Sequence, residues 1–264
     1  MLTKYSRDRH NNKQIIYTTT NEPFMPVRLY YKIHNEYLLI KLLRKLKCIA
    51  FEDSKHFILS YFKEAKNLDL EVYYQDVPEN LYPVLLAEGH IKPGAILHLD
   101  LKSLQRAVLV IDFLAKYIPP TIIEITHFAN ANKLTISNNK QELEKIIALN
   151  YDQFFSESRI HYTEVDIDME LKDEDARNID CDIKDHDFLD IIEQKWGIVE
   201  SRIREQELKS FHAVEKVKIN YDKRKHADLI KWLTFRTFIK EIIASEHTKD
   251  NINYSSIDLI KNFR

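Results

Sequence analysis

Glycine is scarce in this chain. Its 264 residues include three glycines, Gly89, Gly94 and Gly197, where average usage near 7% would give about eighteen. Phosphate-binding loops depend on glycine, because only a residue without a Cβ lets the backbone approach the ligand so closely. The spacing of Gly89 and Gly94 fits neither the dinucleotide-binding fingerprint nor the P-loop. The sequence therefore strongly disfavours Rossmann-type cofactor enzymes and P-loop nucleotide hydrolases.

Cysteine is rarer still, with Cys48 and Cys181 far apart in the sequence. Two cysteines cannot form a disulfide framework, and no clustered pair offers thiolates to zinc. We predict two reduced thiols, with Cys48 buried. The first residues hold no apolar run typical of a secretory signal. The most apolar stretch, 107–118, is shorter than the ~20 residues that span a bilayer, so we expect a soluble, cytoplasmic protein without a membrane partner.

Apolar residues are plentiful: 44% of the chain is hydrophobic and 11% is aromatic, enough for one substantial core. Strand–helix–strand patterns occur twice in the first half of the chain. They predict the α+β class, with a mixed β-sheet that has helices packed on one face and is followed by a helical C-terminal part on the same core. The predicted segments are a polar N-terminal arm at 1–25, a sheet domain at 26–172, an acidic loop at 173–187 and the helical part at 188–264.

Helix boundaries can be predicted in three places. Asn35 is placed to cap a helix over 36–47 that carries a stripe of leucines, and Ser103 is placed to cap a helix over 104–118. Two prolines follow the second helix and end it. Asn139 begins a capping box, which predicts a helix running through Phe155.

A C-terminal segment, 227–244, is apolar on nearly every side of its helical pattern. A helix of this kind is stable only when other elements surround it. We therefore predict that Trp232, Leu233 and Ile239 lie in the main core and join the C-terminal part to the sheet.

Charge is segregated although the net charge is only −2. Residues 164–190 carry a net charge of −9, and residues 195–240 carry +6. Blocks of like charge repel themselves and often mark interaction surfaces. Three interpretations remain open at this point: the acidic segment contacts basic regions of its own chain, binds a partner, or binds a metal ion.

The segment 165–172 alternates strictly between apolar and charged residues, as a half-buried strand near a sheet edge does. Its charged face holds Asp166, Asp168, Glu170 and Lys172. Two carboxylates on such a face, Asp166 and Asp168 first, can share Mg²⁺, and Glu-x-Lys is an element of metal-dependent nucleases. A solvated strand face explains the same pattern and is the favoured reading.

Two basic clusters are candidate surfaces for nucleic acid or for a protein partner. The first lies on one face of the predicted first helix, and the second precedes the C-terminal helix; their residues are Lys41, Arg44, Lys45, Lys223, Arg224 and Lys225. A pI of about 6.6 argues against a strongly basic surface. The second cluster also lies at a helix N-terminus, where the helix dipole disfavours cations.

Catalytic patterns are weak. No pair of histidines has the helical spacing of a zinc site. His98, Asp100 and Ser103 lie too close in sequence to converge as a triad, and Ser103 is better explained as an N-cap. The sequence therefore predicts a non-enzymatic interaction protein without a cofactor, which binds a protein or a nucleic acid. The alternative is a metal-dependent nuclease or phosphodiesterase that uses Mg²⁺ on the acidic strand.

Overall fold

The computed structural model describes most of the first two thirds of the chain and parts of the last third. The described residues are 2–7, 14–131, 133–136, 140–157, 159–167 and 213–221, with 232, 235, 236, 239, 240 and 242–244.

Strands dominate the described residues. They are β1 (Leu2–Arg7), β2 (Gln14–Thr18), β3 (Val27–Ile33), β4 (Ile49–Phe51), β5 (His56–Ser60), β6 (Leu85–Lys92), β7 (Ile96–Leu101), β8 (Ile123–Ala131), β9 (Thr135–Ile136), β10 (Arg159–Ile167) and β11 (Ala213–Tyr221). The helices are α1 (Glu36–Leu43), α2 (Leu104–Tyr117), α3 (Lys140–Ile147) and α4 (Tyr151–Glu157), with short 3-10 turns at Lys63–Asn67, Tyr74–Asp76 and Glu79–Leu81.

One large sheet organises the fold, with the strand order β10-β11-β8-β3-β7-β6-β5-β4. The seven strands from β11 to β4 pair antiparallel, and β10 pairs parallel to β11 at the edge. A smaller sheet joins β1, β2 and β9. The α+β class is confirmed.

One face of the large sheet forms the main core. Alternate residues of β3, from Val27 to Ile33, are buried there beneath α1 and α2. The α1 N-cap is as predicted, since the Asn35 side chain accepts from the backbone N–H of Leu38 at 3.0 Å. Leu39 is fully buried, but Leu38 is exposed, so the predicted leucine stripe is narrower than the sequence indicated. None of the described helices is long and apolar enough to cross a membrane.

The second core helix, α2, carries a buried charge. Its N-cap is Ser103, whose Oγ accepts from the backbone N–H of Arg106 at 3.1 Å. The Arg106 side chain is 1% exposed and donates to the carbonyl of Leu85 and to Thr20 Oγ1, each at 2.6 Å. Its partner in charge is the equally buried Glu22 at 3.4 Å. A buried guanidinium needs such partners, because desolvation alone would make it costly.

This network corrects the expectation of an N-terminal arm. The sequence predicted order only from Pro26, whereas the structure has strands β1 and β2 and buries Ile16, Glu22 and Phe24. The polar segment is ordered because Thr20 and Glu22 are partners of Arg106. Polar composition was therefore misleading, since these polar side chains form buried hydrogen bonds and an ion pair.

The predicted helix over 139–155 is two helices, α3 and α4. They separate at Asn150, whose side chain accepts from the backbone N–H of Gln153 at 2.9 Å and so begins a new helix. Phe154 and Phe155 of α4 pack with Ala129 and Ala131 of β8, apart from the main core. The expectation of helices on one face is thus wrong for α4, which packs on the opposite face of the sheet.

The C-terminal region contributes a strand that the sequence analysis did not predict. Residues 213–221 fall in the segment predicted as helical, yet they form β11 between β8 and β10. Strand β10 covers the first part of the predicted acidic strand, 165–167, and has the predicted edge position. The remainder of that strand, the acidic loop at 173–187 and Cys181 lie outside the described residues. Cys48 is buried and unpaired, as predicted.

Helical residues near position 239 pack on the main core. Phe235 and Ile239 are fully buried in it, and the Phe235 ring meets Phe128 of β8 edge-on, with centroids 6.3 Å apart. Arg236 donates to Asp112 of α2 at 2.7 Å. Trp232 is partly buried at the margin of the core, and Leu233 is outside the described residues. The prediction of a core position is confirmed for Ile239, and Phe235 is a stronger anchor than Trp232.

We expect Phe235→Ala to lower the free energy of unfolding by about 3–5 kcal/mol, because it removes a fully buried ring from a packed core. Trp232→Ala should cost less, since that side chain is only partly buried. Urea unfolding midpoints of both variants measure the difference.

The matched control is Tyr37→Ala, because Tyr37 is 72% exposed and such surface changes shift stability by about 0.5 kcal/mol or less. An unchanged midpoint in Phe235→Ala would show that these helical residues do not belong to the cooperative core.

Candidate functional site

The sheet face opposite α1 and α2, which we call the polar face, carries a row of ring side chains. Cross-strand pairing places them side by side on β5, β6, β7, β3 and β8, where one residue from each strand contributes to the row. The members, which we call the ring row, are His56, His90, His98, Tyr30 and His127. All five are partly buried, and Lys218 of β11 follows His127 in register.

Local structure fixes the register of the row. The β6–β7 hairpin turns at Gly94. Its φ of 83° is allowed for glycine and strained for residues that carry a Cβ. This turn pairs His90 with His98. At the start of β5, the Asp53 carboxylate accepts from the backbone N–H groups of Lys55 and His56, each at 2.7 Å. These contacts set the position of His56 opposite His90.

The rings contact one another along the row. The His56 and His90 rings are stacked, with centroids 4.3 Å apart and planes 14° from parallel. Tyr30 meets His98 edge-on at 4.8 Å and His127 at 6.1 Å. The row therefore consists of two contacting groups, His56–His90 and His98–Tyr30–His127, which the register of β6 and β7 places side by side.

A neighbouring row on the polar face is charged. Arg28 forms a bidentate pair with Asp100, at 2.5 and 2.8 Å, and both side chains are almost fully buried. Asp152 of α4 contacts Arg28 at 3.0 Å and accepts from Lys92 at 2.6 Å. The Phe155 ring covers the guanidinium, with the centroid 4.9 Å from Cζ. Helix α4 is thus held on the polar face by both charge and packing.

Two imidazoles of the ring row, those of His90 and His98, lie in surroundings that favour the uncharged form. Burial, followed by the charges of Arg28 and Lys92, lowers the pKa of His98 to about 4. Burial and then His56 lower the pKa of His90. Burial would raise the pKa of Asp152, but the hydrogen bond from Lys92 and the charge of Arg28 outweigh it and lower that pKa. At neutral pH His90 and His98 are therefore neutral rings, and the Asp152 carboxylate beside them is ionised.

Lysines flank the ring row on β11. The Lys216 ammonium lies over the Tyr30 ring, 4.1 Å from its centroid, a distance at which cation–π attraction is effective. Burial, and then Arg28, lower the pKa of Lys216. Lys218 occupies the next same-face position on the strand, in register with His127. Basic charge is thus placed next to the rings at the β11 end of the row.

The other end of the row has metal-ligating chemistry. Among the described residues, His56, Glu88 and His90 offer one ligand atom each within 4.8 Å of one another. All three are partly buried. Two imidazoles and a carboxylate are the ligand types that Zn²⁺ takes in open sites.

Most of the site residues predicted from the sequence lie on the other side of the sheet or outside the described residues. Lys41, Arg44 and Lys45 are exposed on and just after α1, on the other side of the sheet. Asp166 lies in β10, with its Cα in register with Asn220. Four predicted residues or groups lie outside the described residues: Asp168, Glu170, Lys172 and the cluster Lys223, Arg224 and Lys225. The nuclease alternative remains a prediction.

The close sequence neighbours His98, Asp100 and Ser103 do not form a triad, as predicted. Asp100 is paired with Arg28, and Ser103 caps α2. These contacts give Asp100 and Ser103 separate structural roles.

A mostly apolar pocket of about 390 Å³ lies on the core side of the sheet, lined by the C-terminal end of α2, the start of β8 and Trp232. Its polar rim includes His34, whose Nε2 lies 3.2 Å from Glu124. Tyr31 and Thr121 also line it, so this pocket is a second candidate binding site beside the polar face.

Sequence reasoning missed the ring row because its members come from five strands. One signal was available: Glu88 and His90 are two residues apart, a spacing that places both side chains on one face of a strand. The turn Lys92-Pro93-Gly94-Ala95 between two apolar runs also indicates a hairpin that pairs His90 with His98.

Comparisons of the chain with protein families, with curated proteins and with solved structures each find no match.

We expect stability to fall as the pH is lowered from about 6.5 to about 4, and His98 to account for part of the fall. A free histidine has a pKa near 6.5, so in this window the unfolded chain binds a proton at position 98 that the folded chain does not. Because His98 is partly solvated, we expect its share to be about 1–2 kcal/mol.

Urea unfolding of the wild type and of His98→Gln, measured at several pH values with EDTA present, tests this expectation. The variant should show a shallower decline, whereas the control Tyr37→Ala, which replaces an exposed side chain of α1, should follow the wild type. Equal declines in all three proteins would contradict the role of His98.

Proposed function

We propose that this chain is a non-enzymatic binding protein that holds a single-stranded nucleic acid on its polar face. The observation that carries the proposal is the ring row with Lys216 and Lys218 beside it. Neither feature alone is specific, but nucleic-acid surfaces combine them: rings for bases and cations for phosphates.

The rings support base stacking. Tyrosine and histidine are both used as stacking platforms for unpaired bases. The low pKa values of His90 and His98 keep these imidazoles neutral, so their use at neutral pH is stacking and hydrogen bonding rather than charge attraction. An acidic protein segment would need the cations and would gain little from five adjacent rings, which is why we favour nucleic acid over a protein partner.

The lysines support phosphate contacts. Lys216 and Lys218 lie on the polar face beside Tyr30 and His127, at the β11 end of the ring row. We assign these two cations to phosphates because of that position next to the rings. Two such contacts predict weak, salt-dependent binding rather than a tight, sequence-specific complex.

The test is fluorescence anisotropy with labelled 20-nucleotide single strands of RNA and DNA, in EDTA, between 50 and 200 mM salt. We expect a dissociation constant on the order of 10⁻⁶–10⁻⁴ M. The double variant K216E/K218E should bind at least tenfold more weakly. Its slope of log affinity against log salt should be less steep by about 1.4, because two phosphate contacts are lost.

The matched control is K41E/K45E, at exposed positions on and just after α1, which changes the charge equally and should leave binding intact. If K41E/K45E loses affinity and K216E/K218E does not, the α1 cluster is the binding surface and the proposal fails. Tighter binding of a poly-glutamate peptide than of either oligonucleotide also contradicts it, since that result assigns the surface to an acidic protein partner.

A further inference from the structure

We propose that His56, Glu88 and His90 form a binding site for a single divalent metal ion of the Zn²⁺ class. This inference goes beyond the proposed function and does not depend on it. It rests on the convergence of three ligand atoms from β5 and β6 and on the carboxylates that lie beside the two imidazoles.

The first step is the state of His56. Its Nδ1 lies 2.9 Å from the Glu52 carboxylate, so Nδ1 carries the proton in the neutral ring and Nε2 keeps its lone pair. That Nε2 atom is buried, and no hydrogen-bond partner for it is found among the described residues. A buried acceptor without a partner is costly, and a metal ion would satisfy it.

The Glu52–His56 contact has the form of a support for a metal ligand. Histidines that bind metals usually donate their second ring N–H to a carboxylate or a carbonyl, which fixes the ring and raises its basicity. The Glu52 side chain is half-exposed and lies beside His56. This position suits the role of supporting a metal ligand.

In His90 the roles of the two ring nitrogens are the reverse of those in His56. Its Nε2 faces the buried Asp100 carboxylate at 3.8 Å, which leaves Nδ1 as the atom for a metal. Glu88 lies two residues before His90 on the same face of β6, and supplies the oxygen ligand. The three ligands thus come from two paired strands whose register is set by the β5–β6 ladder.

Metal binding requires a small rearrangement. Two ligand atoms of one tetrahedral Zn²⁺ are about 3.3 Å apart, given bonds of about 2.0–2.1 Å, whereas the three atoms here lie within 4.8 Å. The lone pair of an imidazole lies in its ring plane, and the planes of the stacked His56 and His90 rings are nearly parallel, so the two lone pairs do not converge on one point. One imidazole must therefore turn about its side-chain bonds, and the stack opens when the ion binds.

A site with three protein ligands leaves a fourth position for water or for a ligand group. Carboxylate and imidazole ligands favour Zn²⁺ over Mg²⁺, which takes oxygen ligands almost alone. The site therefore differs in both place and metal from the Mg²⁺ site predicted on the acidic strand.

Calorimetric titration of the full chain with ZnCl₂, in a buffer that does not bind metals and without nucleic acid, tests the proposal. We expect one ion per chain. His56→Gln and His90→Gln should each weaken binding at least tenfold, and MgCl₂ should give no binding at the same concentrations. Glu52→Ala should weaken it about tenfold or more, because the support of His56 is lost.

The matched control is His127→Gln, in the same ring row but three strands from β6, which should bind Zn²⁺ as the wild type does. Circular dichroism checks the fold of each variant. Since Glu52 is half-exposed, its variant tests the site even if a histidine variant fails to fold. Nitrogen NMR of the imidazoles provides a second readout: Zn²⁺ should shift His56 and His90 and leave His127 unchanged.

Unchanged affinity in Glu52→Ala together with unshifted His56 and His90 resonances overturns the proposal. So does an equal loss of affinity in His127→Gln, since that result shows non-specific binding by surface histidines. Neither outcome bears on nucleic-acid binding, which is measured in EDTA.

Discussion

The buried ion pair between Arg28 and Asp100 is the contact on which the polar face depends. It joins β3 to β7 at the centre of the sheet, and Asp152 and Phe155 of α4 dock on the same guanidinium. Removing one partner of such a pair leaves a buried charge uncompensated, at a cost of about 3–5 kcal/mol. The pair also places a fixed positive charge next to His98, and this charge helps to keep that imidazole neutral. Packing of α4 and the electrostatics of the ring row thus have a common origin.

The two faces of the sheet differ in role: the core face stabilises the fold, and the polar face is suited to binding. On the core face strands β3 to β8 contribute apolar side chains beneath α1 and α2. Packing is tight at β6, where a Cβ added at Gly89 would overlap the Phe57 ring. The polar face holds rings and charges that are only partly buried, so it can exchange contacts with water for contacts with a ligand. Candidate sites are therefore expected there, on rigid strands rather than on loops.

Much of the fold follows from local signals in the sequence. Asn35 and Ser103 were identified as N-caps because each precedes an apolar pattern of helical period. The alternation at 165–172 identified only the end of β10, residues 165–167. Strand β11 was missed because its apolar residues lie between charged segments of helical character. The N-terminal segment was missed because its order depends on Arg106, which is more than eighty residues away. The ring row was missed for the same reason: register between distant strands is a property of pairing, and the spacing of His56, His90 and His127 along the chain does not reveal it.

Geometry separates the metal ligands from the lysines assigned to phosphates. The metal ligands lie on β5 and β6, and Lys216 and Lys218 lie on β11, five strand positions from β5. With neighbouring strands about 4.8 Å apart, the lysines are about 24 Å from His56 across the sheet. That distance is about three times the ~8 Å screening length at physiological salt, so a bound divalent ion would contribute little to the attraction of phosphates at β11. An effect of Zn²⁺ on nucleic-acid affinity would instead have to pass through the rings, by opening the stack of His56 and His90 at one end of the row.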